Sequence, residues 1–329
     1  MKSWAVPAAI IVAVEYLFAL LIGARVGFHY RIPFVAYAII GTTIAAAGVV
    51  VFILGRLIRY AAGRERRPAR RLMAELPKCL PFLAGTLLVS LEIGVLTWTK
   101  IMLPIAVPFW ADPFLADFDH GIFHAEPWRI AHDLFGWADP LVDRAYITWA
   151  PIKFGTLIVV LAMPESAVKA RALVAYFAMM AMATMGQYLL SSGGPVFYAQ
   201  LGFGDRFASL PIEQWVESTT QYLWRNYERA GGDIGGGISA MPSLHVAVAL
   251  WVALVTRSYW PRLAVAGFFY FALIVVGSVL LGWHYAVDGI VGVAITLVAW
   301  RVAAVPTRER ATEPGSLPLD AIPTSTPKN

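Results

Sequence analysis

Apolar residues fall in long runs along this chain, separated by short polar stretches. Eight runs are long enough, at roughly 20 residues each, to cross a bilayer as helices. They lie near 5–27, 34–58, 80–104, 141–163, 172–192, 241–257, 263–283 and 285–303. The first is long for a secretory signal and lacks a convincing small-residue cleavage site, so it counts as a span. The pattern predicts an all-α polytopic integral membrane protein with about eight transmembrane helices.

Composition agrees. Of 329 residues, 59% are hydrophobic and 14% charged, whereas soluble domains are about a quarter charged. The one cysteine, Cys79, excludes a disulfide framework and a thiolate-rich metal site. The formal charge of +5 does not imply nucleic acid, because the basic residues cluster between apolar runs, where positive-inside sorting explains them.

Those clusters orient the chain. The stretch RLIRYAAGRERRPARRLMAELPK (56–78) carries eight Lys or Arg against two Glu, and short basic loops stay in the cytoplasm. The N-terminus is then cytoplasmic, as are Lys169, Arg171, Arg257, Arg262, Arg308 and Arg310. All six histidines, His29, His120, His124, His132, His245 and His284, fall at or beyond the outer ends of spans. His29 reads as an interfacial polar residue.

Two long outer segments remain. Residues 108–140 mix Trp and Phe with acidic residues and histidines, which suits helices lying in the headgroup layer. There His120 and His124 have the spacing of one helix face, but no third ligand accompanies them and no metal is expected. Residues 193–240 contain SSGGPVFYAQ and GGDIGGG, backbone-flexible loop sequences whose amides can also cradle phosphate. The tail after Pro306, rich in Pro, Thr and Ser, reads as disordered, and the chain shows no internal repeat.

The chemistry concentrates in SAMPSLH (239–245) and GWHYAVD (282–288). His284 and Asp288, four residues apart, would share a helix face, so the carboxylate can accept from the ring, fix its tautomer and leave the far nitrogen free as base or nucleophile. His245 follows Pro242-Ser243 at another helix start, where unpaired N–H groups suit phosphate oxygens. A histidine nucleophile with its carboxylate, a second histidine and an anion-binding helix start fit phosphoryl transfer through a phosphohistidine. The plainer account makes His284 and Asp288 a buried pair bracing a helix end. Ionisable groups at the border of spans are costly to bury, which weighs against it.

These two motifs resemble the second and third signatures of the type 2 phosphatidic acid phosphatase superfamily, and their Pro-Ser-Leu-His and His-Tyr-x-x-Asp forms look most like its inositol phosphorylceramide synthase branch. The resemblance implies a six-helix catalytic core over 80–303, preceded by two N-terminal spans and a basic loop in 1–79 and followed by a cytoplasmic tail, 304–329. It also implies His284 as nucleophile, Asp288 as its partner, His245 as acid–base, and neither cofactor nor metal. Two features depart from the superfamily's pattern. The Ser-Arg that usually stands six residues before the nucleophile is here Gly277-Ser278, and SSGGPVFY stands where a Lys and an Arg-Pro are expected. The candidate phosphate-binding set is therefore Ser243, Leu244, Ser278 and Gly194 with Arg206, Arg225 and Arg229 from the outer loop; Lys153 and Arg144 are further cations within reach.

The reading favoured by this weaker cation set is a transferase. It would move a phosphoryl-alcohol headgroup, such as inositol phosphate, from a donor lipid to an acceptor lipid in a bacterial inner membrane, with its site facing the periplasm. The alternative is a lipid phosphatase acting on a phosphatidate, a polyprenyl diphosphate or a sphingoid phosphate. A transporter or lipid-binding channel is the alternative of another class, although transporters usually hold their ionisable groups near the bilayer midplane.

Overall fold

A computed structural model describes residues 4–28, 33–63, 67–229 and 233–304. His29, Arg308, Arg310 and all but the first residue of the 304–329 tail lie outside the described residues. Helices make up the fold, and the described residues contain no strand. In order they are α1 (Ala5–Val26), α2 (Pro33–Ala62), α3 (Pro68–Glu75), α4 (Leu80–Ala106), α5 (Asp112–Phe123), α6 (Pro127–Phe135), α7 (Asp139–Tyr146), α8 (Trp149–Ala162), α9 (Ala167–Gly186), α10 (Gln214–Glu228), α11 (Leu244–Tyr259), α12 (Ala264–Leu280) and α13 (Ala286–Val302).

The chain is an integral membrane protein. Among the described residues five helices are long and apolar enough to cross by length and composition, or six if the bent pair Pro127–Tyr146 and Trp149–Ala162 is one span. The bend, 43°, follows from Pro151, which cannot donate to the carbonyl of Ile147 and crowds it. The Thr148 hydroxyl takes up the Ala145 carbonyl beside the break at 2.6 Å. With 16 and 17 residues, α11 and α13 rise only ~24 and ~26 Å, short of a hydrocarbon core of ~30 Å. Both begin at the end that carries the histidines.

α9 runs through the middle of the bundle, packed by α1, α4, α8, α11 and α13. Its small residues Ala172, Ala175 and Ala183 are buried and let neighbouring backbones approach, which is how helices associate where lipid removes the hydrophobic drive. Its N-terminus is capped by Ser166, whose hydroxyl accepts from the Lys169 amide at 3.1 Å. Lys169, 2% exposed, donates to the Leu161 and Met163 carbonyls at 2.7 and 2.9 Å. It thus closes the C-terminal end of α8, where a cation meets the helix dipole.

Segment 108–140 forms the short helices α5 and α6 and the start of α7, as expected of an interfacial stretch. His120 and His124 do not share a helix face: His124 has φ 53° and ends α5, while His120 Nδ1 lies 3.3 Å from Glu126. Segment 193–240 is less loop-like than its glycines imply, because α10 occupies its middle. The Asp143 carboxylate holds the start of that helix, accepting from the Trp215 amide at 3.1 Å.

Candidate active site

Three loops, distant in sequence, interlock at one end of the bundle. The first is SSGG (191–194), after α9; the second leads into α11; the third joins α12 to α13. Ser192 ties the first to the second, its carbonyl accepting from the Ala240 amide at 2.8 Å and its hydroxyl from the Met241 amide at 3.1 Å. The Val196 amide donates to the Gly282 carbonyl at 3.0 Å, joining first to third. The Ser243 amide donates to the Asp288 carbonyl at 3.1 Å, joining second to third. Gly194 sits at the crossing with φ 97°, where a Cβ would meet the Trp283 carbonyl. Gly292 does the same for the helices, since a methyl there would overlap the Ser243 carbonyl.

This knot brings His245 and His284 into contact, Nδ1 of His245 lying 3.1 Å from Nε2 of His284. His284 is 4% exposed and its Nδ1 lies 3.0 Å from the Ala240 carbonyl and 3.4 Å from Asp288 Oδ2. A carbonyl only accepts, so Nδ1 of His284 carries a proton and, in the neutral ring, Nε2 carries the lone pair. His245 must then donate from Nδ1 into that lone pair. Its ring lies against Trp149 and Tyr146, at centroid distances of 4.5 and 4.9 Å.

The His284–Asp288 pairing arises differently from the expected helix face. His284 precedes α13, and Asp288 sits at the third helical position, reaching back to accept from the Tyr285 amide at 3.0 Å. Capping geometry thus turns the carboxylate towards the ring. At the start of α11, Ser243 rather than proline is the cap, its hydroxyl accepting from the Val246 amide at 3.3 Å. The Leu244 and His245 amides meet no acceptor among the described residues, as expected of an open helix start.

The remaining candidates divide. The Leu244 side chain lines the cavity that holds both histidines. Ser278 acts through its backbone, its carbonyl accepting from the His284 amide at 3.0 Å while its hydroxyl donates to Val275. The Gly194 amide donates to Asp112 at 2.8 Å and faces no open space. None of the three arginines lines this cavity. Arg206 is held by Glu126 and Asp117, Arg225 is exposed and bonds its own helix at Gln221, and Arg229 and Arg144 are exposed.

The cations at the site are lysines. Lys153, 3% exposed, and Lys100 line the cavity with the two histidines, and His245 feels the charges of both. Lys153 lies 5.3, 5.2 and 5.7 Å from the ring centroids of Trp149, Phe154 and Tyr176, a cation–π setting that tolerates a buried ammonium. Sequence reasoning names Lys153 without selecting it and misses Lys100, although a lone lysine in an apolar run is itself a signal.

It also misses two braces. Asp112 accepts from the Gly193 and Gly194 amides and from the Tyr285 hydroxyl at 2.9 Å. Asp119 accepts from Ala286 and Val287 at 2.6 and 3.0 Å, closing the first turn of α13. Burial lifts both carboxyls to about 6, against the hydrogen bonds that pull them down.

A helical membrane bundle thus brings paired histidines and two lysines to one cavity. Residues 116–302, more than half of the chain, match the PAP2 superfamily, and the chain belongs to it. Members are phosphatases or phosphotransferases, so this is an enzyme acting on lipid phosphate esters. No curated protein and no solved structure matches the chain.

Proposed function

We propose that the chain is a phosphotransferase that moves a phosphoryl-alcohol headgroup from one lipid to the hydroxyl of another through a phosphohistidine. His284 Nε2 attacks phosphorus, and the bond from phosphorus to the departing lipid oxygen breaks. His245, entering the step as an imidazolium protonated on both nitrogens, gives that oxygen its Nδ1 proton and is left neutral. The acceptor hydroxyl then enters, loses its proton to His245, and its oxygen takes the phosphoryl group, which frees His284. Asp288 and the Ala240 carbonyl hold the imidazolium proton on Nδ1. Lys100, Lys153 and the Leu244 and His245 amides supply positive charge around the phosphoryl oxygens.

The observation carrying this reading is the 3.1 Å approach of His245 Nδ1 to His284 Nε2, with the opposite nitrogen of His284 pinned by a carbonyl. Transfer is favoured over hydrolysis because Trp149, Tyr146, Trp283 and Phe197 wall the cavity beside the histidines, and excluding water protects a reactive intermediate. The two lysines mean that charge alone does not decide for a phosphodiester. The Pro-Ser-Leu-His and His-Tyr-x-x-Asp forms support inositol phosphate as the headgroup and a ceramide-like acceptor. The basic 56–78 loop supports a site on the periplasmic face of a bacterial inner membrane.

The test is purified enzyme given headgroup-labelled phosphatidylinositol, with and without ceramide or diacylglycerol. The expected result is acceptor-dependent transfer and a quenched adduct on His284, both lost in His284→Ala. Acceptor-independent release of inositol phosphate or phosphate would make the enzyme a hydrolase.

A further inference from the structure

The cavity that holds the histidines, about 700 Å³, extends far beyond them. On α4 it follows Lys100, Leu96, Ile93, Val89 and Thr86, and on α8 it follows Trp149, Lys153, Leu157 and Leu161. Steps of three and four keep each series on one helix face. From Lys100 to Thr86 the α4 stripe descends fourteen residues, ~21 Å at 1.5 Å per residue. α2 closes the flank with Tyr37, Ile40, Gly41 and Ile44.

Polarity changes once along this furrow. The lysines and histidines gather at one end. Beyond Lys153 the polar groups lining it on α4 are the hydroxyls of Thr86 and Ser90, which donate to the Phe82 and Thr86 carbonyls at 2.8 and 2.9 Å. A charged head followed by a long apolar groove matches an amphiphile lying along α4. We propose, resting on the phosphotransferase reading, that the furrow binds one unbranched acyl chain of the donor phospholipid and sets the chain length the enzyme accepts.

Size supports one chain rather than two. A chain of three-bond units advancing ~3.6 Å each covers ~21 Å in about 17 bonds. With each heavy group taking about the ~30 Å³ of a water, the volume holds about 23 groups, one such chain with a phosphate ester. A long polyprenyl chain does not fit. The second acyl chain remains in the bilayer, because the furrow reaches the surface at Ile40, Ile147 and Ile158, 44%, 41% and 39% exposed. α2 and α4 precede residue 116, where the superfamily match begins, while α8 lies within it, so two of the three helices lining the furrow are ones the match does not cover.

Two measurements test it. Val89→Trp fills the groove seven residues below Leu96, and Leu54→Trp adds the same ring on a surface of α2 outside the furrow. The ratio of turnover on dipalmitoyl to dioctanoyl phosphatidylinositol should fall at least tenfold in the first and stay unchanged in the second; an unchanged ratio in Val89→Trp overturns the proposal. The second uses His284→Ala protein and phosphatidylinositol with a diazirine at the end of a sixteen-carbon chain. Adducts are expected on 86–93 or 157–161, and an eight-carbon probe should move them towards Lys153. Adducts confined to lipid-facing residues, or none, overturn the proposal. Because this readout needs no catalysis, and no Val89 variant, it separates failure of the furrow from failure of the phosphotransferase reading.

Discussion

At the scale of single residues, the positive charge of the site comes from two lysines in helices that otherwise read as apolar. Lys153 is surrounded by three aromatic rings, with Glu92 acting on it from α4, and it lines the same cavity as both histidines. Donors preorganised in this way are worth ~10²–10³ in rate. Lys153→Met should therefore lower kcat/KM by about that factor with the thermal midpoint nearly kept, and Lys100→Met should act similarly. A loss of ten-fold or less in both would assign the charge stabilisation to the helix-start amides alone. The two histidines stood out in the sequence by motif and spacing, but the local geometry behind them, a Ser cap before His245 and a capping carboxylate after His284 in place of a shared helix face, did not. Nor did Lys100, Asp112 and Asp119, because what defines them is their partners: Asp112 meets Gly193 and Asp119 meets Ala286, contacts spanning 81 and 167 residues.

At the scale of elements, the distance between the histidines is set by how α11 and α13 pack. Gly292 lets the Ser243 carbonyl approach α13, and the Thr296 hydroxyl crosses the same seam to the Ala247 carbonyl at 3.1 Å. Gly292→Val should push the helices apart and separate His245 from His284, removing most turnover while the bundle still folds; turnover within threefold of wild type would show that the seam has slack. The start of α13 depends on Asp119, whose carboxylate closes two amides that no residue within the helix can reach. Replacing it by alanine removes a cap worth on the order of 1 kcal/mol, and a lowered melting temperature in detergent would register it. The same carboxyl brings a pH dependence. Its folded value, about 6, exceeds the ordinary 3.8, so the folded chain holds the proton more tightly than the unfolded one. That contribution is complete below 3.8 and disappears as pH rises through about 6. Melting temperatures measured between pH 4.5 and 7.5 should fall with rising pH more steeply in the wild type than in Asp119→Asn. Equal slopes would remove Asp119 from the titration.

At the scale of the whole molecule, the all-helical membrane class followed from hydropathy, whereas the breaks and caps at the site end of the helices did not. Hydropathy registers apolar length, whereas Pro151, the Ser243 cap and the capping carboxylate of Asp288 decide where a helix bends or begins within it. They act on α8, α11 and α13, and the bend and the two helix starts meet at the site, where Tyr146 and Trp149 lie against His245 and His245 meets His284. Which membrane face holds the site depends on the basic 56–78 loop, and the two ends of the bundle can be told apart chemically. Trp137, 83% exposed, stands beside α6 on the histidine end, and Ala69, exposed in α3, follows the basic loop. In a Cys79→Ser background, Trp137→Cys should react with a membrane-impermeant maleimide added to intact spheroplasts, and Ala69→Cys only after the membrane is opened. The reverse pattern would turn the site towards the cytoplasm and its lipid pool, leaving the chemistry of the histidines untouched while changing which leaflet supplies donor and acceptor.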